Sequence, residues 1–182
     1  MSRAFFDQVD DELRGFLGPS LRNYQAVRGG RLLKVWHGPP PVHFEVQLVG
    51  PRWSPLPGAS LEIGLHLEYA DPAANDRILA GLADPQPEGE GGGPGDRGAG
   101  GASRGGGGAS GPAWAAVLPR AVAGVAIGPR AGAWRRVSEF MAASEIEDPE
   151  LASEAAETLA CYVRTLWPLL VPLVGEVGDE PG

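Results

Sequence analysis

The chain has 182 residues and carries 15 basic against 23 acidic side chains, a formal net charge of -8. That balance argues against non-specific binding to nucleic acid or to an anionic membrane, both of which depend on a basic surface. A single cysteine, Cys161, excludes a disulfide framework and an all-cysteine metal site, and with no secretory leader at residues 1–7 and no apolar run of membrane-spanning length the expected location is the cytoplasm.

Length and apolar content suit one domain over 1–182. Residues 4–17 place Phe5, Val9, Leu13 and Phe16 at helical spacing, with Ser2 as N-cap, Gly18-Pro19 as the stop and an acidic outer face. After an indeterminate piece at 21–27 and a turn at Gly29-Gly30, residues 32–37 form a short apolar run with a β-branched centre. This is the first strand of a hairpin whose partner is 42–49. Residues 42–49 and 61–69 both alternate apolar and polar side chains with period two, which is the pattern of strands with one face on a core. Their inward sides carry Val42, Phe44, Val46 and Leu48, then Leu61, Ile63, Leu65, Leu67 and Tyr69. The outward sides carry His43, Glu45 and Gln47, then Glu62, His66 and Glu68, and are expected to be wet.

Asp71-Pro72 is a capping acid followed by proline at the first helical position, and it opens a helix over 72–83. From 84 to 112 the composition collapses into Gly, Pro, Ser, Ala and scattered charge. With too little apolar surface to offset its ordering entropy, this segment is expected to be a disordered loop that interrupts the domain. Residues 113–118 suggest one or two helical turns, and 121–127 a buried strand of small residues. Residues 134–141 fit neither period cleanly and are read as a strand because the glycines and proline before them set up a turn. The last helix opens on Asp148-Pro149, runs an apolar stripe through Leu151, Ala155, Leu159 and Leu166, and is expected to end at Pro168 and Pro172. The apolar residues 169–174 must then pack elsewhere.

The resulting order is α-β-β-β-α-loop-β-β-α, an α+β domain with a mostly antiparallel sheet of about five strands and helices on one side. This order of elements resembles the type III secretion chaperone-like fold. The resemblance implies a small acidic protein that binds a protein partner, a homodimer being one form of that.

The sharpest candidate site is the set His43, Glu45, His66 and Glu68. If the two strands are neighbours, all four project from one face, and two imidazoles with two carboxylates form a plausible ligand set for zinc, iron or manganese. The bland reading is a solvated sheet face with cross-strand His and Glu pairs. Glu45-Val46-Gln47 also matches the end of a nuclease-like acidic motif, but the acid that should precede it is missing between Arg28 and His43. The glycines at 98–102 lack the strand and helix that a phosphate loop needs. Arg97 and Arg104 stand in a plain linker rather than in repeated Arg-Gly units. Arg120, Arg130, Arg135 and Arg136 form either an anion patch or a face for the acidic last helix. Cys161 falls beside the core as a small apolar residue. Most of the tryptophans should be core, with Trp53, in a proline-rich loop, the candidate partner-binding anchor.

With no complete catalytic set, the leading expectation is a non-catalytic protein-binding domain of chaperone-like or adaptor type, without a cofactor. The competing one is a small metal-dependent enzyme that holds one transition metal ion on the polar face of residues 42–49 and 61–69.

Overall fold

The computed structural model describes residues 3–83, 112–126, 132–143 and 149–178. The expected caps Ser2 and Asp148, the Gly-rich segment 84–111, and Arg130 lie outside them. Nine elements of helix and strand follow in order: α1 (Arg3–Phe16), β1 (Gln25–Arg28), β2 (Leu32–Trp36), β3 (Val42–Val49), β4 (Ser60–Leu67), α2 (Pro72–Ala83), β5 (Val122–Val125), β6 (Arg135–Ala142) and α3 (Pro149–Gly178). The strands form one antiparallel sheet in the order β1-β2-β3-β4-β6-β5. This is the expected α+β class, with six strands instead of five. The additional strand is β1, which the indeterminate piece before Gly29-Gly30 supplies by pairing with β2.

Alternation in β3 and β4 sets the two faces of the sheet. Phe44 stands opposite Leu65, Val46 opposite Ile63 and Leu48 opposite Leu61, and Leu33, Val35, Val137 and Met141 extend the same face across β2 and β6. The three helices pack on this side. Fully burying a side chain such as Phe44 or Ile63 stabilises by about 1.5–3 kcal/mol. From α1 come Phe5, Phe6, Val9 and Leu13, and from α3 Ala155, Leu159, Tyr162, Val163 and Leu166. Helix α2 starts as expected, with the Asp71 carboxylate accepting the Ala73 N–H at 2.9 Å.

Five expectations need correction. The outer face of α1 does not take all its acids: Asp10 is fully buried, where it accepts the Tyr24 hydroxyl at 2.6 Å and pairs with Arg14 and Arg28. A buried carboxylate is tolerable there because cations and a hydroxyl meet it. The segment read as a buried strand is the exposed edge β5, with Val122 61% and Val125 50% exposed. Small apolar residues suit an edge as well as a core, and composition alone does not separate the two. Among the tryptophans only Trp114 is buried; it donates to the Leu82 carbonyl at 2.9 Å, while Trp36, Trp134 and Trp167 are half-buried.

The last helix also does not stop at its prolines, and runs through Pro168 and Pro172. Each costs a helical hydrogen bond and a clash, roughly 3 kcal/mol, but the stripe continues past them. Leu170 is fully buried, Leu169, Leu173 and Val174 pack against the core, and Trp167 lies 5.0 Å from the His37 ring. The uninterrupted helix is, by length and composition, able to cross a membrane, contrary to the expectation from the sequence. Its inner stripe is occupied by the sheet.

Gly64 lies at the centre of β4, where a Cβ would meet the Val137 carbonyl oxygen at 2.3 Å and Ser138 Cα at 2.5 Å. Only glycine lets β6 come this close. Gly64→Ala is expected to lower stability by about 1–3 kcal/mol. Gly124→Ala, with nothing within 4 Å of the added carbon, should leave it nearly unchanged. Urea titrations of the two variants test this, and equal midpoints would contradict the packing described.

Candidate metal centre on the polar sheet face

The register that places Phe44 and Ile63 in the core places the alternate residues on the opposite face. There His43 is paired with His66, Glu45 with Gly64 and Gln47 with Glu62. Lys34 of β2 stands beside Glu45, and Arg136 and Ser138 of β6 stand beside His66 and Gly64. Glu68, just beyond β4, is held by its N–H to the Pro41 carbonyl at 2.8 Å. All four residues singled out in the sequence, His43, Glu45, His66 and Glu68, therefore project from one face.

That face is not wet. His43 and Glu62 are fully buried, and Glu45 and His66 are each 4% exposed. The described helices pack on the other side, and on this one Lys34, Gln47 and Arg136 bind the acids. Alternation tells which residues share a face and says nothing about whether longer neighbours seal it. Glu62 accepts from Arg136, from the Ser138 hydroxyl at 2.8 Å and from the Gln47 amide at 2.9 Å. Lys34 Nζ lies 3.0 Å from Glu68 Oε2 and 3.7 Å from Glu45 Oε2.

The imidazoles are arranged differently. Their rings stack with centroids 5.7 Å apart. His43 Nδ1 lies 3.0 Å from the Pro40 carbonyl oxygen; a carbonyl only accepts, so Nδ1 carries the proton and Nε2 presents its lone pair. Nε2 of both His43 and His66 is buried and has no hydrogen-bond partner. Glu45 Oε2 at 3.5 Å and Glu68 Oε1 at 3.8 Å are the carboxylate oxygens facing His43 Nε2. Donor atoms of His43, His66 and Glu68 all lie within 4.8 Å of one another. Zinc bonds of about 2.0–2.1 Å at tetrahedral angles set donors roughly 3.4 Å apart, so closing on an ion requires side-chain shifts of about 1 Å. The donor chemistry fits: two neutral nitrogens and one carboxylate oxygen, with the His43 proton tied to backbone and the second Glu68 oxygen tied to Lys34.

Burial lowers the His43 pKa below its ordinary 6.5, the Glu45 carboxylate opposing the shift. For Glu45, burial alone would raise the pKa, but the imidazole of His43, then His66 and Lys34, outweigh it and hold the carboxyl below 4.5. The lowering of Glu45 depends on a proton at His43 Nε2; a bare Nε2 instead sets a lone pair against the carboxylate, a repulsion that a cation between them relieves.

The other sequence candidates do not assemble. Trp53 is 44% exposed with the Arg52 guanidinium 5.1 Å from its ring centroid, well away in sequence and register from the polar cluster. Arg135 and Arg136 point to opposite faces, the former pairing with Asp76 at 2.5 Å on α2 and the latter with Glu62. They form neither an anion patch nor a partner for α3. Arg120 does line a cleft with Glu154 and Glu157 of α3. Cys161 is half-buried against the core. Residues 97–104 lie outside the described residues. Period-two counting back from His66 already places Glu62 on this face, though not among the candidate ligands; that Lys34 joins the cluster, and that Arg136 pairs with Glu62, depends on the neighbouring strands. Comparison with protein-family models, curated proteins and solved structures finds no match to this chain. The resemblance to the chaperone-like fold rests on element order alone.

Two outcomes follow from the partners just described. Glu62→Ala strands the Arg136 charge, whose side chain is only 11% exposed, and is expected to cost about 3–5 kcal/mol, while Glu68→Ala, at the rim, should cost far less; equal losses in denaturant titration would contradict this burial. Because His43 and Glu45 both have depressed folded-state pKa values, unfolded chains bind more protons on acidification. Stability of metal-free protein should fall as pH drops below about 6.5, from His43 and His37, whose pKa values burial lowers, and again below about 4.5, from Glu45. His43→Asn should reduce the first decline, leaving the part due to His37. A thermal midpoint that rises between pH 7 and pH 5.5 would reverse the sign.

Proposed function

We propose that the polar face of β3 and β4 is a transition-metal centre, with His43, His66 and Glu68 as ligands, and that the protein is a small metal-dependent enzyme. The observation that carries this reading is that Nε2 of His43 and of His66, on stacked rings, are buried without a hydrogen-bond partner, with donor atoms of both residues and of Glu68 within 4.8 Å of one another. Trp36 Nε1, His37 Nε2 and Ser60 Oγ are also buried without a partner, so it is the nearness of two imidazole nitrogens to a carboxylate, the donor set of an ion, that supports a metal. A divalent ion bound there would supply Lewis-acid chemistry. Of the two carboxylates outside the ligand set, Glu62 is taken up by Arg136, Ser138 and Gln47, whereas Glu45, 3.5 Å from His43 Nε2, is placed to accept a proton from a group brought to the centre.

Dialysed protein should retain close to one transition metal per chain at neutral pH by elemental analysis. His66→Ala should lose most of it, and so should wild-type protein brought to pH 5, since coordination needs neutral imidazole. Protein that is properly folded and takes up no metal from excess zinc overturns the reading.

A second reading has its own observation. Among the described residues β5 pairs with β6 alone and exposes Val122 and Val125, and an apolar sheet edge is a template for strand pairing. It supports the protein-binding domain expected from the sequence, with a homodimer through β5 as its simplest form. Sedimentation should then show a dimer that Val125→Lys dissociates. Monomer at high micromolar concentration would remove that support.

A further inference from the structure

A cleft of about 440 Å³ opens on the same polar face, beside the metal centre. Its walls are Val27, Leu32 and Trp36 from β1 and β2 and the Pro40 turn, and it meets the cluster at Lys34 and Glu68. Two features of this cleft limit what it can hold. Its body is apolar and partly aromatic, so it suits a flat hydrocarbon group. Its charged end is one ammonium beside one carboxylate, 3.0 Å apart.

The charge inventory decides the sign of the occupant. Around the centre stand the carboxylates of Glu45, Glu62 and Glu68 and the cations of Lys34 and Arg136. With neutral imidazoles this leaves a formal excess of one negative charge, so a divalent ion converts the centre to a net positive one. Glu68 is then drawn between two cations, and Lys34 keeps donor capacity toward the cleft, since an ammonium has three N–H groups and Glu45 lies at a long 3.7 Å. Buried charge of one sign in a site of low dielectric constant selects a ligand of the other sign.

We infer that the metal-loaded protein binds a small organic carboxylate, its anionic end at Lys34 beside the ion and its apolar or aromatic body against Val27, Leu32 and Trp36. The inference rests on the metal reading above and names its substrate class. No covalent step is part of it.

The test is titration calorimetry of full-length protein with benzoate, run on zinc-loaded and zinc-free samples whose zinc content is measured in parallel. Benzylamine, with the same ring and opposite charge, serves as the control. Benzoate should bind the zinc-loaded sample at least tenfold more tightly than the zinc-free one, and benzylamine should not bind. Lys34→Met, compared with wild type at equal measured zinc occupancy, should weaken benzoate at least tenfold. Val27→Asp, at a half-exposed wall position where folding is not at stake, should weaken it comparably by opposing the carboxylate. A sample that holds zinc but ignores benzoate, or prefers benzylamine, overturns this inference and leaves the metal centre standing. A sample that takes up no zinc overturns both.

Discussion

The cross-strand register of β3 on β4 is the constraint on which the rest depends. It sets His43 against His66 on one face by the same step that sets Phe44 against Leu65 on the other. A slip of one residue would turn four ionisable groups into the helix-covered core and expose its apolar side chains. Gly64 is part of this constraint, because β6 reaches its place beside β4 only across a missing side chain. Arg136 and Ser138 then arrive where Glu62 needs them. The sheet thus has two buried faces that are stabilised by different means. One is satisfied by three helices, and the other must satisfy itself.

How the second face does so bears on function. A buried carboxylate costs several kcal/mol in lost hydration, and attraction to a cation recovers that only with good geometry. Replacing such networks with apolar residues is often neutral or stabilising, so stability alone is a poor account of three acids, two cations and two histidines on one sheet face. Glu62 is well provided for, with Arg136, Ser138 and Gln47 around it. The histidine pair is not. Its two Nε2 atoms lack hydrogen-bond partners and lie beside an excess of carboxylate, which supports the proposed metal site. A proton would supply the same positive charge, but burial disfavours the imidazolium form of His43.

Much of this was legible in the alternation of two stretches. Period two in residues 42–49 and 61–69 gave the strands, their inward residues and the four side chains that meet on the far face. Asp71-Pro72 gave the start of α2, confirmed by the cap on Ala73. What local pattern could not supply was the environment. Whether Glu45 is wet depends on Lys34, one strand away, and on Glu68 beyond the strand end. Nor could it say that α3 would pass two prolines, since that is decided by the burial of Leu166 and Leu170 against the sheet. The inward turn of Asp10 was hidden for the same reason: its partners Tyr24 and Arg28 come from a strand whose own pattern is too short to read. In each case tertiary packing overrode a correct local rule.

If His43, His66 and Glu68 close on a metal ion, as proposed, anomalous diffraction from crystals of zinc-loaded protein will locate the ion and its ligand atoms together. The expected result is a zinc peak bonded to Nε2 of both histidines and to a Glu68 oxygen at about 2.0–2.2 Å, with His43 Nδ1 still donating to Pro40 and Lys34 still holding the other Glu68 oxygen. A polar face without a zinc peak, its histidine nitrogens closed by ordered water or by Glu45 and Glu62, would contradict it and make the cluster a purely structural network.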